Sequence, residues 1–238
     1  EMCIRDGLLV TQRQEPRLAL ASAVPLPGGG VRLAAPGAEP LDVAVPDPGE
    51  HGTLVAEVFR DKVTAVPAGA AADAWLSAYL GTPARLLHMA DPERCRPVDP
   101  DFGRPGDTVS FADGYPLLVT TTASLRALNS LVAEGDRATE GPLPMDRFRP
   151  NAVVDHTEAW AEDGWRRVRI GEVTFRAVKP SGRCVVTTTD QRTAERGKEP
   201  LRTLARHHRI GGKAVFGQNL IPEHTGTLRV GDPVEILD

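Results

Sequence analysis

Twenty-three glycines and 21 prolines interrupt a chain of 238 residues. Glycine frees the backbone into conformations other residues avoid, and proline fixes φ and removes a hydrogen-bond donor. Punctuation at that density favours short strands and loops over long helices. The chain is still long enough for one large or two small domains with real cores, so folding needs neither disulfides nor a structural metal. Its 41% hydrophobic and 25% charged residues are ordinary globular values and exclude a mainly disordered chain. A formal net charge of −4 disfavours a general nucleic-acid binder. No apolar run approaches the roughly 20 residues that span a bilayer. Neither nucleic acid nor a membrane is expected as a partner.

Cys3, Cys95 and Cys184 are odd in number and widely spaced. They make a poor disulfide framework and fit a reducing compartment, so a cytoplasmic location is expected. Without a close pair or a set of four, a zinc finger or an iron–sulfur cluster is not expected. The opening residues lack the apolar core of a signal peptide.

Residues 1–66 read as short strands and turns, with strands over 41–45 and 53–59 and a Pro-Gly-Gly-Gly loop at 27–30. That loop lacks the Lys-Ser/Thr and the helix of a phosphate-binding loop. Trp75, Leu76, Tyr79 and Leu80 predict a helix over 70–80, ended by Gly81 and Pro83. Residues 85–88 form a strand. The proline-rich, apolar-poor segment 91–114 reads as a linker between a domain over 1–90 and another over 115–238. The second domain opens with a strand over 116–120 and a helix that has Thr122 as its N-cap and Leu125, Leu128, Leu131 and Val132 as its buried stripe. Strands are expected over 151–154, 166–170, 173–178 and 184–188, a helix over 200–207, and a strand–turn–strand over 226–237. The expected class is α+β and strand-rich: a β-barrel-like domain, then a small β-barrel with inserted helices.

Cys184 stands where a Pro- and Gly-containing loop, Lys179-Pro180-Ser181-Gly182-Arg183, enters a β-branched run. One reading is a packed strand cysteine. The other uses the positive charge of Arg183 and Lys179, which favours the thiolate, the form that attacks and binds metal. No His or Asp stands at a spacing that suggests a triad. Only four of the 28 basic residues are lysines (Lys62, Lys179, Lys198 and Lys213). Arginine presents a planar donor fork suited to phosphate and oxo groups. It clusters in Thr11-Gln12-Arg13-Gln14-Glu15-Pro16-Arg17 and in Asp146-Arg147-Phe148-Arg149-Pro150-Asn151, where Asn151 adds a neutral donor and acceptor. Surface salt bridging is the plainer reading of any single Arg.

Several short blocks in order resemble the MOSC domain, named for the C-terminal domain of molybdenum cofactor sulfurases. They are Thr121-Thr122-Ala123-Ser124-Leu125, Phe148-Arg149-Pro150-Asn151, Arg183-Cys184, Lys198-Glu199-Pro200-Leu201, Phe216-Gly217-Gln218 and Val230-Gly231-Asp232-Pro233-Val234. The 11–17 block resembles the N-terminal β-barrel domain that precedes MOSC in the branch of the mitochondrial amidoxime-reducing components and their bacterial relatives.

The resemblance implies a molybdenum–molybdopterin cofactor (Moco) held between two domains, with Cys184 as the protein's ligand to the metal. It makes Arg13, Arg149 and Asn151 cofactor contacts and Thr121 and Thr122 donors to an anionic group. Gly182 and Arg183 shape the loop around the metal. The implied activity is reduction of N-hydroxylated compounds such as amidoximes and hydroxylamino-purines. Electrons come from a separate ferredoxin- or cytochrome-b5-like protein, because no ferredoxin domain follows the barrel. The alternative is a sulfur-carrier or cofactor-handling module without reductase activity. Cys95 matches no family ligand. The family's opening strand and its Lys- and Ser-bearing loop have no counterpart. An N-terminal truncation is therefore expected, with residues 1–6 foreign and an unpaired strand edge left in the first domain.

Overall fold

The computed structural model describes residues 2–238, apart from the side chains of Met2, Cys3, Arg94 and Cys95. The thiols of Cys3 and Cys95 thus lie outside the described residues. The chain divides into two compact units. One holds Glu1–Pro97, Thr108–Asp113 and Gln191–Glu195, and the other Val98–Asp107, Gly114–Asp190 and Arg196–Asp238.

The first unit contains strands β1 (Met2–Arg5), β2 (Leu8–Leu9), β3 (Ser22–Pro25), β4 (Val31–Ala35), β5 (Ala38–Val43), β6 (Leu54–Val58), β7 (Asp61–Pro67) and β8 (Arg85–His88). Strands β1, β2, β6, β7 and β8 close into a barrel, and β3–β4–β5 form a separate antiparallel sheet. Alternation builds the barrel core. Ala56 and Val58 point inward from β6, and Val63 and Ala65 from β7, to meet Ile4, Leu87 and Met89. The expected unpaired edge is absent from this barrel. Residues expected to be foreign form β1, which pairs with β2 on one side and β8 on the other.

Helices α1 (Pro48–His51) and α2 (Ala70–Leu80) follow β5 and β7. Helix α2 buries Ala72, Leu76, Tyr79 and Leu80 against Leu33, Val43 and Leu86. Gly81, in the left-handed region at φ 71°, ends it by donating to Ser77 O at 2.9 Å. Trp75, partly buried, packs against the same cluster, and its indole donates to Glu39 O.

Segment 91–114 carries the short helix α3 (Pro92–Cys95) and a guanidinium that gathers the chain around it. Arg96 is 4% exposed. It donates to Asp61 (2.6 Å) and to the carbonyls of Ser110 (3.3 Å), Ala112 (2.6 Å) and Asp113 (2.7 Å).

The second unit is the larger barrel-like body. Its strands are β9 (Leu117–Thr121), β10 (Ala152–Val154), β11 (Arg167–Ile170), β12 (Val173–Gly182), β13 (Arg209–Ile210), β14 (Lys213–Pro222) and β15 (Val234–Ile236). They run in the order β10-β9-β14-β12-β11-β15, with β13 paired to the start of β14. Helices α4 (Thr122–Ala133) and α5 (Leu201–His207) lie beside this sheet. Leu128, Val132, Leu143, Phe148, Leu204 and Phe216 form one core cluster, and Val119, Val168, Phe175 and Leu220 anchor another. Gly217, at φ 80°, is required where β14 crosses β9. A Cβ there would strike Val119 O and lie 2.8 Å from the Thr120 methyl.

Three local expectations are corrected. Residues 184–188 are not a strand, because Val185–Thr188 curl into a 3₁₀ turn. The cause is local satisfaction: Thr187 Oγ1 donates to Cys184 O (2.9 Å) and Thr188 Oγ1 to Val185 O (2.8 Å). The N-cap of α4 is Thr121, not Thr122, with its hydroxyl accepting from Ser124 N–H at 3.1 Å. Of 226–237, only Val234–Ile236 is a strand. Carboxylates hold the preceding loop instead, Asp232 taking Arg229 N–H and Glu172 taking Thr227 N–H.

Arg96→Met keeps the aliphatic stem but removes every hydrogen bond of a buried guanidinium, so it should cost roughly 2–4 kcal/mol. Asp61 is half-exposed, so Asp61→Asn should cost less than about 1 kcal/mol. Thermal melting of both variants checks the order. Equal losses would show that the ion pair, rather than the carbonyl clamp, matters.

Candidate functional site

In the second unit, β12 delivers the segment that carries Cys184. Arg183 still donates its N–H to Ala214 O (2.8 Å), and the chain then leaves the sheet into the 3₁₀ turn Val185–Thr188. Cys184 is the residue before that turn, extended and half-buried, with a reduced thiol.

A second 3₁₀ turn, Met145–Phe148, packs against the first. Two arginines cross between them. Arg183 donates to Phe148 O (2.5 Å) and to Ser181 Oγ (2.7 Å), its guanidinium 5.6 Å from the Phe148 ring centroid. Arg147, buried, donates to Thr188 O (3.2 Å) and to Asp190 (2.7 Å). Phe148 is fully buried and stacks on Phe216 at 3.9 Å. The residue after the second turn is Arg149, left-handed at φ 53° and exposed.

Cys184, Arg183 and Arg149 thus come together at the ends of two crossed turns. Asn151 lies close in sequence and braces β9. Its side-chain oxygen accepts from Leu118 N–H (2.8 Å), and its own N–H donates to Leu118 O (2.9 Å). Gly182 is exposed, and a Cβ there would make only ordinary contact with Lys213, so space does not require glycine.

Arg13 belongs to the first unit. It is exposed in a turn where its N–H donates to Thr11 Oγ1 (3.2 Å). It borders an open groove of about 510 Å³ whose walls include Leu8, Leu9, Phe59 and Arg60.

The two threonines meet carboxylates of the chain itself. Thr121 is fully buried, and its hydroxyl bonds to Ser124 Oγ (2.7 Å) and Glu162 Oε2 (3.1 Å). Thr122 donates to Asp155. The start of α4 therefore already has two carboxyl partners from the chain itself.

Sequence reasoning missed three residues. Arg147 sat in a quoted block, but nothing marked it as buried. Glu162 is fully buried, and burial pushes its carboxyl upward although Ser124 and Thr121 bond to it. His208 contacts Asp163 through Nε2 (2.7 Å) and Val215 O through Nδ1 (2.9 Å), under a Trp160 ring at 3.9 Å. Both partners are acceptors, so the protonated imidazole, with an N–H on each nitrogen, is the form that satisfies both. Burial pulls its pKa down, but Asp163 and Val215 O outweigh that and leave it raised.

Among the described residues, no three His, Cys, Asp or Glu side chains gather to hold a metal. A metal here has to bring most of its own ligands. One accessible thiol with cationic neighbours fits a metal already bound to sulfur and carried by an anionic cofactor.

The MOSC domain profile matches residues 106–235, and the MOSC N-terminal beta barrel domain profile matches residues 2–83. The chain belongs to the MOSC-domain family. It is 33% identical over 247 residues to mitochondrial amidoxime-reducing component 1 of Homo sapiens, covering 98% of this chain and 70% of that one. The Danio rerio protein of the same name is 35% identical over 241 residues, with 96% and 70% covered. A molybdenum cofactor sulfurase of Danio rerio is 34% identical over 229 residues, covering 89% of this chain but only 26% of that one. The N-terminal match takes in Met2–Arg5, so these residues belong to the family domain. The cytoplasmic location is overturned, because the amidoxime-reducing relatives are named as mitochondrial components. Cysteine spacing separates oxidising from reducing compartments and cannot distinguish one reducing compartment from another.

A raised His208 stabilises the fold fully below its unfolded value near 6.5, and that contribution is lost as pH rises through the folded value. Asp163→Asn should therefore lower the melting temperature more at pH 6 than at pH 8. An equal loss at both would mean that His208 is neutral.

Proposed function

We propose that this MOSC-family chain is a Moco-dependent oxidoreductase that reduces N-hydroxylated compounds. The observation that carries the reading is Cys184, a half-buried thiol at the junction of two arginine-crossed turns, in a chain related over 98% of its length to an amidoxime-reducing component. The family relation also supports an external electron donor, ferredoxin- or cytochrome-b5-like.

When bound, the cofactor would supply the two-electron redox chemistry that cleavage of an N–O bond requires. The net reaction takes R–NHOH, two electrons and two protons to R–NH₂ and water. The chain's part is to bind and orient. Cys184 offers one soft thiolate, held in place because Arg183 is itself tied to Ser181 and Phe148 O. Arg149 offers an exposed donor fork to the phosphate or pterin. Asn151 keeps an amide N–H₂ available while its oxygen holds β9. Gly182 leaves the loop short of side chains beside the thiol. Arg13 is proposed as a cofactor contact contributed by the first domain. The two threonine hydroxyls are engaged with Glu162 and Asp155, so their proposed part is to fix the start of α4 rather than to touch the cofactor.

The match to a molybdenum cofactor sulfurase favours a second reading, in which Cys184 carries sulfur or hands the cofactor on. Metal content and turnover separate the two. About one molybdenum per chain with benzamidoxime reduction supports the reductase, and cyanide-releasable sulfur without turnover supports the carrier.

Cys184→Ser replaces a soft ligand with a hard, far less acidic one. Reduction should vanish while melting stays near wild type; undiminished turnover would remove the ligand assignment. Arg149→Ala should weaken cofactor binding by about tenfold or more, since a charge-assisted bond contributes roughly 1.5–3 kcal/mol. Unchanged occupancy at limiting cofactor would exclude that contact.

A further inference from the structure

The proposed reductase needs an electron donor, and the second unit carries a surface suited to one kind. Between Glu199 and Glu223 no acidic residue occurs, whereas Arg202, Arg206, His207, His208, Arg209 and Lys213 do. This is the reverse of a chain whose net charge is −4. Arg202 and Arg206 are partly offset by Asp136. Arg209 and Lys213 have no carboxylate within ion-pair distance among the described residues. Both are exposed at the tip of the β13–β14 ribbon, on either side of Gly211 and Gly212.

The sheet register sets this tip beside the cysteine. Arg209 pairs with Ala214, whose carbonyl accepts the N–H of Arg183, the residue before Cys184. Neighbouring strands lie about 4.8 Å apart. The Lys213 stem lies over Gly182, within 3.5 Å of where a Cβ would stand. Ile210, the cross-strand partner of Lys213, is 37% exposed, and Val185, the residue after Cys184, is 38% exposed. Apolar side chains flanked by unpaired cations suit a small, transient redox interface.

Resting on the reductase reading, we infer that the Arg209–Lys213 ribbon tip is the docking surface for an acidic one-electron donor protein. On a net-acidic chain, a local run of cations free of carboxylates steers an acidic partner to that place and sets its register. Docking there brings the donor's redox centre to the side of the sheet edge that leads into Cys184.

The probe is an acidic plant-type [2Fe–2S] ferredoxin, titrated calorimetrically against the full chain at low salt and at about 0.15 M. Binding should weaken with salt. Arg209→Glu/Lys213→Glu should weaken it at least about tenfold, equivalent to about 1.4 kcal/mol. Lys62→Glu, on β7 of the first unit, should leave it unchanged. Lys213→Glu alone is the second variant, because Arg209 also donates to Gly212 O; it should show a smaller loss with unchanged melting. No wild-type binding, equal binding by the double variant, or an equal loss in Lys62→Glu overturns the surface. So does loss of binding to phosphatidylserine vesicles, instead of ferredoxin, in the same variant. Dithionite-driven benzamidoxime reduction tells the two claims apart. It should be unchanged in the double variant, whereas ferredoxin binding at this tip without any wild-type dithionite activity would sink the reductase reading and leave the surface standing.

Discussion

The segment that carries Cys184 is held in place chiefly by two arginines that cross between neighbouring turns. A 3₁₀ turn has few internal hydrogen bonds and leaves carbonyls unsatisfied at its end. Arg183 meets the carbonyl of Phe148 at the end of one turn, and Arg147 meets the carbonyl of Thr188 at the end of the other. Each guanidinium also reaches a side chain, Ser181 or Asp190. The geometry is reciprocal, so neither turn can shift without breaking bonds to the other. Beneath them the Phe148–Phe216 stack gives the pair an apolar floor, each ring contributing about 1.5–3 kcal/mol through burial.

The same economy shapes the start of α4. A helix N-terminus attracts anions, and the sequence alone invites an external one. The fold supplies its own. Glu162 enters from the turn Ala161–Gly164, takes bonds from Thr121 and Ser124, and is closed off from water. Its neighbour Asp163 points elsewhere and holds His208. Consecutive carboxylates therefore stabilise two different elements, and the Trp160 ring stacked on His208 ties them to the Phe216 side of the core.

Much of this was legible in the sequence. Helix α2 and strand β8 fall where periodicity and Gly81 put them. The family followed from short blocks whose order was informative even though each was brief, and the two domain profiles match over 2–83 and 106–235. What was hidden depended on tertiary partners. Threonine's β-branch argued for a strand over 184–188, but the hydroxyls of Thr187 and Thr188 found carbonyls within their own turn. Thr121 and Thr122 are equally good caps by type. Only the position of Glu162 and Asp155, distant in sequence, decides which hydroxyl caps and which faces outward. Propensity sees neither effect, because both are settled by what arrives from elsewhere in the chain.

The block Asp146–Asn151 shows why an arginine cluster is hard to interpret without a fold. Arg147 and Arg149 are two residues apart and chemically identical, yet one is buried and bonded while the other is exposed. At three residues per turn, positions two apart point about 120° away from each other. The left-handed backbone at Arg149 ends the turn and separates the two further. Arg147 therefore places its donors on Thr188 O and Asp190, which ties the two turns together, and Arg149 leaves its fork exposed. Swapping the roles would need a turn of a different pitch. The division between buried and exposed arginine is thus set by backbone geometry, with side-chain chemistry the same at both positions.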